Sequence, residues 1–126
     1  YRYIPGRLYP VNSLGVNNID GVFAVNERLI SFVNTSLGEM AVVKVGATNV
    51  GSITVTYADI RTNEGQKTAY DEALKKKKKV ERAGELGSFH LGSTVVLVVA
   101  NPDLKPVDEL ALGEYRLLGQ PLLKLS

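Results

Sequence analysis

Hydrophobic and polar residues alternate with a period of two along much of this chain. Residues 53–57 read Ile-Thr-Val-Thr-Tyr, which is the pattern of a β-strand with one buried face. Two further apolar segments, residues 28–33 and 40–45, also predict strands. Residues 94–100 form a continuous run rich in β-branched side chains, which predicts a strand covered on both faces.

Glycine residues separate these apolar segments, at positions that include Gly15, Gly21, Gly38, Gly46, Gly51, Gly87, Gly92 and Gly113. Short strands joined by glycine turns indicate a mainly β protein, built as an antiparallel β-sandwich or barrel. We therefore expect at most one or two short helices, on the surface.

Two other segments predict local structure. Residues 66–79 contain alanine, leucine and many lysines, which are good helix formers, but the apolar face is thin. We expect a short surface helix or a mobile loop there. Residues 110–125 contain two short apolar runs around Gly113 and Gly119, which predicts a closing hairpin.

Composition limits the classes of function. The chain has 126 residues, the size of one domain, and 44% of them are hydrophobic, enough to form a core. It has no cysteine, which excludes disulfides, thiolate metal sites and cysteine nucleophiles. We find no metal-ligand cluster, phosphate-binding loop or dinucleotide motif, and the net charge of +2 gives no reason to expect a nucleic-acid partner.

The chain begins with Tyr-Arg-Tyr-Ile-Pro-Gly, which reads like the middle of a domain. It shows no signal peptide, and no apolar run approaches the roughly 20 residues needed to cross a bilayer. We expect that further residues precede Tyr1.

Residues 75–79 are five consecutive lysines. One interpretation is a solvated loop. The other is attraction to an anionic membrane surface, worth on the order of 1 kcal/mol per lysine near that surface. In a helix the five side chains would spread around the axis and would not form one docking face.

Residues 91–94, Leu-Gly-Ser-Thr, carry the most specific chemistry. The Ser93 hydroxyl can attack the carbonyl of Gly92 if the backbone is bent, and glycine tolerates strained dihedral angles. The resulting ester can lose its acyl group by β-elimination, and hydrolysis then gives a chain that begins with a pyruvoyl group. By itself, Gly-Ser-Thr is also compatible with an ordinary turn that enters a strand.

The same segment resembles the processing motif of the phosphatidylserine decarboxylases, and it follows Gly-Glu-Leu-Gly at residues 84–87. The resemblance extends over nearly the whole chain except roughly residues 61–82. It includes Tyr3-Ile4-Pro5-Gly6 with Val11-Asn12, Asn26-Glu27-Arg28, residues 45–53, Leu112-Gly113 and residues 118–122.

This resemblance implies a pyruvoyl-dependent carboxy-lyase. Ser93 would become the pyruvoyl cofactor, form a Schiff base with phosphatidylserine and release carbon dioxide to give phosphatidylethanolamine. Cleavage between Gly92 and Ser93 would divide one decarboxylase domain, residues 1–126, into a larger chain, 1–92, and a smaller pyruvoyl-bearing chain, 93–126. Leu91 and Thr94 would complete the processing motif.

The resemblance also implies partners and a location. The partners are phosphatidylserine, the second chain produced by cleavage and the surface of a membrane, with a homodimer left open. The location is peripheral, on a bacterial cytoplasmic or mitochondrial inner membrane, with no transmembrane helix in this chain. The closing hairpin would resemble that of lipoyl-type β-sandwiches.

The chain departs from the family in one respect. The aspartate and histidines that the family uses belong to segments that would precede Tyr1. The only histidine, His90, does not match the family's catalytic position. It lies three residues from Ser93, and in an extended strand an odd separation places the two side chains on opposite faces. We therefore interpret His90 as a surface or loop residue, although a bend at Gly92 would remove this argument.

Two further segments have alternative interpretations. Gly46, Ala47, Thr48 and Asn49 either form a wall of the substrate site or allow tight packing of the sheet through their small side chains. Asn26-Glu27-Arg28 is interpreted as a structural turn with a buried or partly buried ion pair.

Two other functions compete with the lyase. One is a non-catalytic β-sandwich that binds anionic lipid or a partner protein, a hypothesis favoured by the missing histidine segment. The other is a pyruvoyl decarboxylase that acts on a soluble amino acid.

Overall fold

The computed structural model describes residues 1–108 and 110–126. These residues form two short helices and nine strands. In chain order they are β1 (Arg2–Ile4), α1 (Ser13–Asn18), α2 (Val22–Val25), β2 (Arg28–Thr35), β3 (Gly38–Val45), β4 (Ile53–Val55), β5 (Tyr70–Asp71), β6 (Gly87–Phe89), β7 (Val95–Val99), β8 (Leu104–Pro106) and β9 (Leu123–Leu125).

The largest sheet contains five strands in the order β5-β1-β2-β3-β7, and each neighbouring pair is antiparallel. Its longest unit is the β2–β3 hairpin, whose register runs from Arg28 opposite Val45 to Thr35 opposite Gly38. The strands predicted at residues 28–33 and 40–45 are confirmed, and both are slightly longer than predicted.

The core lies between this sheet and the antiparallel β4–β6 ribbon. Tyr3 and Leu29 from the sheet pack against Ile53 and Val55 of β4, and side chains from the loops complete the cluster. The prediction of a mainly antiparallel β fold with at most two short helices is confirmed. The sheets formed by the described residues do not close into a barrel.

The strand predicted at residues 94–100 exists as β7, but the prediction that it is covered on both faces is wrong. Val95, Leu97 and Val98 are 46%, 41% and 55% exposed. β7 is the edge strand of the sheet and pairs only with β3. Because β-branched residues favour any extended strand, their presence does not distinguish an edge strand from a buried one.

The prediction of a short helix at residues 66–79 is wrong. This segment contains the short strand β5, which pairs with β1, and is otherwise irregular. The Arg2 guanidinium binds Asp71 with two hydrogen bonds of 2.5 and 2.7 Å, so pairing across strands replaces helical structure here. The two helices lie elsewhere, and α1 begins where the Asn12 side chain accepts a hydrogen bond from Gly15 N–H (3.1 Å).

The predicted closing hairpin at residues 110–125 has different strands from those expected. β9 pairs with β8, which lies before residue 110, and Leu104 is opposite Leu125. Apart from β9, the apolar residues of the predicted segment lie in turns and irregular structure. They do not form two strands that pair with each other. Glu109, in the connection between β8 and β9, lies outside the described residues.

A lysine is buried in the sheet beside the core. Lys44 is only 3% exposed, and its ammonium group donates a hydrogen bond to the Ser31 hydroxyl (2.5 Å), which is in turn hydrogen-bonded to the Tyr57 hydroxyl (2.5 Å). In the described part of the chain, no carboxylate forms an ion pair with Lys44. Burial lowers the pKa of Lys44 to about 8, because a charged ammonium is poorly solvated there.

None of the helices in residues 1–108 and 110–126 has the length and apolar character needed to span a bilayer.

The burial of Lys44 predicts a specific pH dependence of stability. Its folded pKa of about 8 lies below the ordinary value of 10.5, so between these pH values the unfolded chain binds more protons than the folded chain. Relative to a Lys44→Met variant, the wild type should therefore become more stable as the pH rises through this range, by up to about 3 kcal/mol. Thermal melts of both proteins from pH 7 to 10.5 measure the difference. A difference in melting temperature that stays constant with pH would contradict the assignment.

Candidate active site

The segment formed by residues 91–94 crosses from one sheet to the other. On its N-terminal side, Leu91 N–H donates to the carbonyl of Val50 (3.0 Å), next to the β4–β6 ribbon. On its C-terminal side, the carbonyl of Thr94 accepts from Val45 N–H (3.0 Å), at the end of β3. The backbone is therefore fixed at both ends, and the peptide bond between Gly92 and Ser93 lies between the two fixed points.

Gly92 adopts a backbone conformation that other residues rarely adopt. Its φ angle is +57°, in the left-handed region. A Cβ atom at this position would lie 2.8 Å from the carbonyl oxygen of Asn49, which is closer than van der Waals contact allows. Both the dihedral angle and the close approach therefore require glycine directly before Ser93.

The Gly92–Ser93 bond borders a cavity of about 240 Å³. Three segments that are distant in sequence line this cavity: Pro10, Val11 and Asn12; Ala47, Asn49 and Val50; and Gly92, Ser93 and Thr94. Ser93 is exposed, and within the described residues its hydroxyl has no hydrogen-bond partner. The arrangement thus leaves the serine oxygen available beside the carbonyl of the preceding glycine.

Two of the four residues predicted to form a wall of the substrate site line the Ser93 cavity. Ala47 and Asn49 line the cavity with Ser93, but Gly46 and Thr48 are directed elsewhere. A Cβ at Gly46 would lie 3.1–3.3 Å from side-chain atoms of Leu8 and Glu27, and the Thr48 hydroxyl donates to the Leu8 carbonyl. Ala47 and Asn49 therefore fit the interpretation as a wall of the cavity. Gly46 and Thr48 fit the interpretation as tight packing, here against Leu8.

Asn26 connects two of the three segments that line the cavity. Its side-chain amide donates to the carbonyls of Tyr9 (2.8 Å) and Gly46 (2.9 Å) and accepts from Tyr9 N–H (3.1 Å). Tyr9 precedes the first lining segment and Gly46 precedes the second, so one fully buried amide holds both in position.

Among the described residues, the predicted ion pair at Asn26-Glu27-Arg28 is not formed. Glu27 is 5% exposed, and one carboxylate oxygen accepts from the Tyr3 hydroxyl (2.6 Å) and from Asn63 N–H (3.0 Å). Its other oxygen, like Arg28 Nε, is buried without a hydrogen-bond partner among the described residues. Glu27 directly precedes β2, which begins at Arg28, and the Arg28 guanidinium instead donates to the Phe23 carbonyl (3.5 Å). Burial, together with the Glu27 carboxylate, raises the pKa of Tyr3.

His90 lies outside the lining of the cavity. Its Nε2 atom is 3.2 Å from the hydroxyl of Thr54 on β4, and the ring is exposed. The histidine therefore contacts the ribbon instead of Ser93, in agreement with its interpretation as a surface residue.

Sequence reasoning did not identify Pro10 as part of the site. Nothing in its local pattern indicates a cavity, because Pro10 reaches Ser93 only through the tertiary fold. Val11 and Asn12 were indicated only weakly, because they belong to a segment that resembles a turn of the family. In the described part of the chain, no group of histidine, cysteine, aspartate and glutamate side chains could hold a metal ion.

Comparison with known proteins gives a consistent result. Residues 1–124 match the family model for phosphatidylserine decarboxylase. The chain is similar to proteins named phosphatidylserine decarboxylase proenzyme from Brevibacillus brevis (45% identical over 123 residues), Myxococcus xanthus (46% over 101 residues) and Azotobacter vinelandii (41% over 128 residues).

These alignments cover 97%, 78% and 98% of this chain, respectively. They cover 44%, 35% and 44% of the relatives. The chain therefore spans less than half the length of the curated relatives that it matches.

The close approach at Gly92 predicts an unusually costly substitution. Gly65 is a matched control, because its φ angle is +81° but a Cβ there would have no neighbour within 4 Å. Gly65→Ala should lower the free energy of unfolding by about 1–2 kcal/mol through the dihedral angle alone. Gly92→Ala should cost about 1–3 kcal/mol more, because the new methyl group meets Asn49. Thermal or chemical denaturation of both variants in a Ser93→Ala background, which lacks the serine hydroxyl, checks this difference. Equal losses in the two variants would show that Asn49 does not constrain residue 92.

Proposed function

This chain belongs to the phosphatidylserine decarboxylase family, and we propose that it is the self-cleaving part of an enzyme that converts phosphatidylserine to phosphatidylethanolamine and carbon dioxide. The observation that supports the proposal most strongly is the position of Ser93. Its free hydroxyl follows a left-handed glycine, in a backbone segment fixed at both ends and beside a cavity.

We assign self-cleavage to the bond between Gly92 and Ser93. The Ser93 oxygen attacks the Gly92 carbonyl carbon, the C–N bond breaks, and the hydroxyl proton passes to the freed amine. Removal of the Cα proton of residue 93 then breaks the ester C–O bond, and Gly92 leaves as a carboxylate. Water adds to the remaining dehydroalanine after it tautomerises, and ammonia leaves, so that residue 93 becomes a pyruvoyl group. The bend at Gly92 favours the first step because it removes the peptide from an extended, fully paired strand.

The residues around position 93 are compatible with such a group. When present, a pyruvoyl ketone supplies an electrophilic carbonyl and an electron sink that no ordinary side chain offers. Val11, Ala47 and Val50 would surround it with apolar surface, while Asn12 and Asn49 bring amide groups to the same cavity. The Asn12 amide oxygen already accepts from Gly15 N–H, which leaves its NH₂ group as a donor for substrate.

The two products of cleavage would remain together. After cleavage, β7 would belong to the smaller chain and β3 to the larger one, and these strands are paired from Lys44 opposite Val95 to Met40 opposite Val99. The β3–β7 pairing, together with the hydrogen bond from Val45 N–H to the Thr94 carbonyl, would therefore hold residues 93–126 against residues 1–92. Because the substrate is a membrane lipid, we also assign the enzyme a peripheral contact with the membrane surface.

Replacing Ser93 tests the assignment directly. Ser93→Ala should abolish cleavage and carbon dioxide release from phosphatidylserine vesicles, because alanine has no nucleophilic oxygen. Ser88→Ala is the matched control, since Ser88 lies on β6 and its hydroxyl donates to Glu85. Intact-mass analysis of the denatured full-length protein should show two chains for the wild type and for Ser88→Ala. Ser93→Ala should give a single chain.

Three outcomes would count against the proposal. One is a wild-type protein that stays in one piece. Another is a Ser93→Ala protein that is cleaved at the same bond. The third is vesicle binding without carbon dioxide release, which would favour the non-catalytic lipid-binding function. Decarboxylation of free serine in preference to phosphatidylserine would instead favour a soluble substrate.

The position of His90 gives a separate prediction. Because its ring contacts Thr54 and does not line the Ser93 cavity, His90→Asn should leave the rates of cleavage and decarboxylation within about twofold of the wild type. Time courses of cleavage by gel electrophoresis measure the first rate and carbon dioxide release the second. A loss of a hundredfold or more would assign His90 to general acid–base catalysis.

A further inference from the structure

A second and larger cavity shares no lining residue with the Ser93 cavity. Its volume is about 560 Å³, within the roughly 300–1,000 Å³ typical of small-molecule sites. We call it the Tyr57 cavity, because this tyrosine of the core lines it. Apolar side chains form much of the wall, among them Val33, Leu74, Val80 and Leu86.

The polar groups at the base of the Tyr57 cavity have more hydrogen-bond donors than acceptors. Ser31 and Tyr57 both line the cavity, and Lys44 lies behind them. An ammonium group can only donate, so Lys44 donates to Ser31. One hydroxyl hydrogen then joins Ser31 to Tyr57, whichever of the two donates it. The other hydroxyl hydrogen remains for an acceptor in the cavity.

The positive charge of Lys44, behind the base of the Tyr57 cavity, also favours the binding of an anion. Lys44 is almost fully buried, and within the described residues no carboxylate balances it. A buried charge without a counterion is costly, so an anion bound at Ser31 and Tyr57 would offset part of this cost. Burial also raises the pKa of Tyr57, which keeps its hydroxyl protonated as a donor at neutral pH.

The lysine run supplies the rim of the Tyr57 cavity. Lys77, Lys78 and Lys79 line it, whereas Lys75 and Lys76 of the same run do not. Two carboxylates lie nearby and are already engaged: Glu72 accepts from the Tyr1 hydroxyl (2.7 Å), and Glu81 pairs with Lys79 (2.9 Å). The entrance is therefore cationic on balance, which raises the local concentration of anions.

We propose that the Tyr57 cavity binds an amphiphilic carboxylate, with its anionic head at Ser31 and Tyr57 and its apolar chain against Leu74, Val80 and Leu86. A chain of this kind matches the apolar wall, and a carboxylate matches the spare donor and the buried ammonium. The site is separate from the Ser93 cavity, so ligand binding here does not depend on whether Ser93 is cleaved.

Titration calorimetry on the full-length protein, with dodecanoate kept below its critical micelle concentration, tests the proposal. Dodecanoate should bind with a stoichiometry of one per chain. Acetate has the head without the chain, and dodecyltrimethylammonium has the chain with the opposite charge. Both should bind at least about tenfold more weakly than dodecanoate. The Ser93→Ala protein should bind dodecanoate as well as the wild type does, which separates this result from the fate of the proposed decarboxylase function.

Variants localise the binding. Lys44→Met keeps an unbranched side chain, one atom shorter, and removes its charge, and it should weaken dodecanoate binding about tenfold. Lys77→Ala with Lys78→Ala should weaken it about two- to fivefold, with the difference lost at high salt. Lys75→Ala with Lys76→Ala removes the same charge from the same run outside the cavity and should have no effect.

Three results would overturn the proposal. They are equal binding of dodecanoate and dodecyltrimethylammonium, unchanged binding in a folded Lys44→Met protein, and equal losses in the two double-lysine variants. The lysines of the double variants are exposed, so these proteins should fold normally and remain informative even if Lys44→Met does not.

Discussion

Two backbone hydrogen bonds determine the geometry on which the rest of this structure depends. Leu91 is held to Val50 and Thr94 is held to Val45, so the intervening Gly92–Ser93 peptide must cross between the β4–β6 ribbon and the five-stranded sheet. Only glycine fits the left-handed conformation and the close approach to Asn49 that this crossing imposes. The serine that follows is exposed beside a cavity instead of being paired within a strand. The Gly92–Ser93 peptide lies between β6, which pairs with β4, and β7, which pairs with β3.

A second constraint is the buried amide of Asn26. It contacts Tyr9 and Gly46, and thereby positions the segments on either side of the Ser93 cavity. Buried polar groups of this kind must be satisfied, so their partners are fixed more strictly than apolar contacts would be. Glu27 next to it has one carboxylate oxygen without a hydrogen-bond partner in the described chain. The site is thus built on polar contacts made in the core, while the cavity itself is lined largely by apolar and amide side chains.

The sequence predicted what is local and missed what depends on distant contacts. The β2–β3 hairpin follows from alternation over a few residues, and the Gly92–Ser93 motif is contiguous, so both could be read directly. Residues 66–79 have helix-forming side chains, but pairing with β1 overrides that preference. The exposure of β7 depends on its place at the sheet edge, which composition does not encode. Lys44 occupies an alternating strand, where a charged side chain is normally expected to face solvent, and only the structure shows its hydroxyl partners.

The central claim is that the hydroxyl of Ser93 itself breaks the bond to Gly92. The most direct measurement follows the serine oxygen, using full-length protein made with [¹⁸O]serine in which Ser93 carries the label. Attack by Ser93 transfers this oxygen to the Gly92 carboxylate, so mass spectrometry of residues 90–92, a C-terminal peptide of the larger chain that excludes Ser88, should show one ¹⁸O atom. A carboxylate without the label would mean that water cleaves the peptide, and would contradict the account.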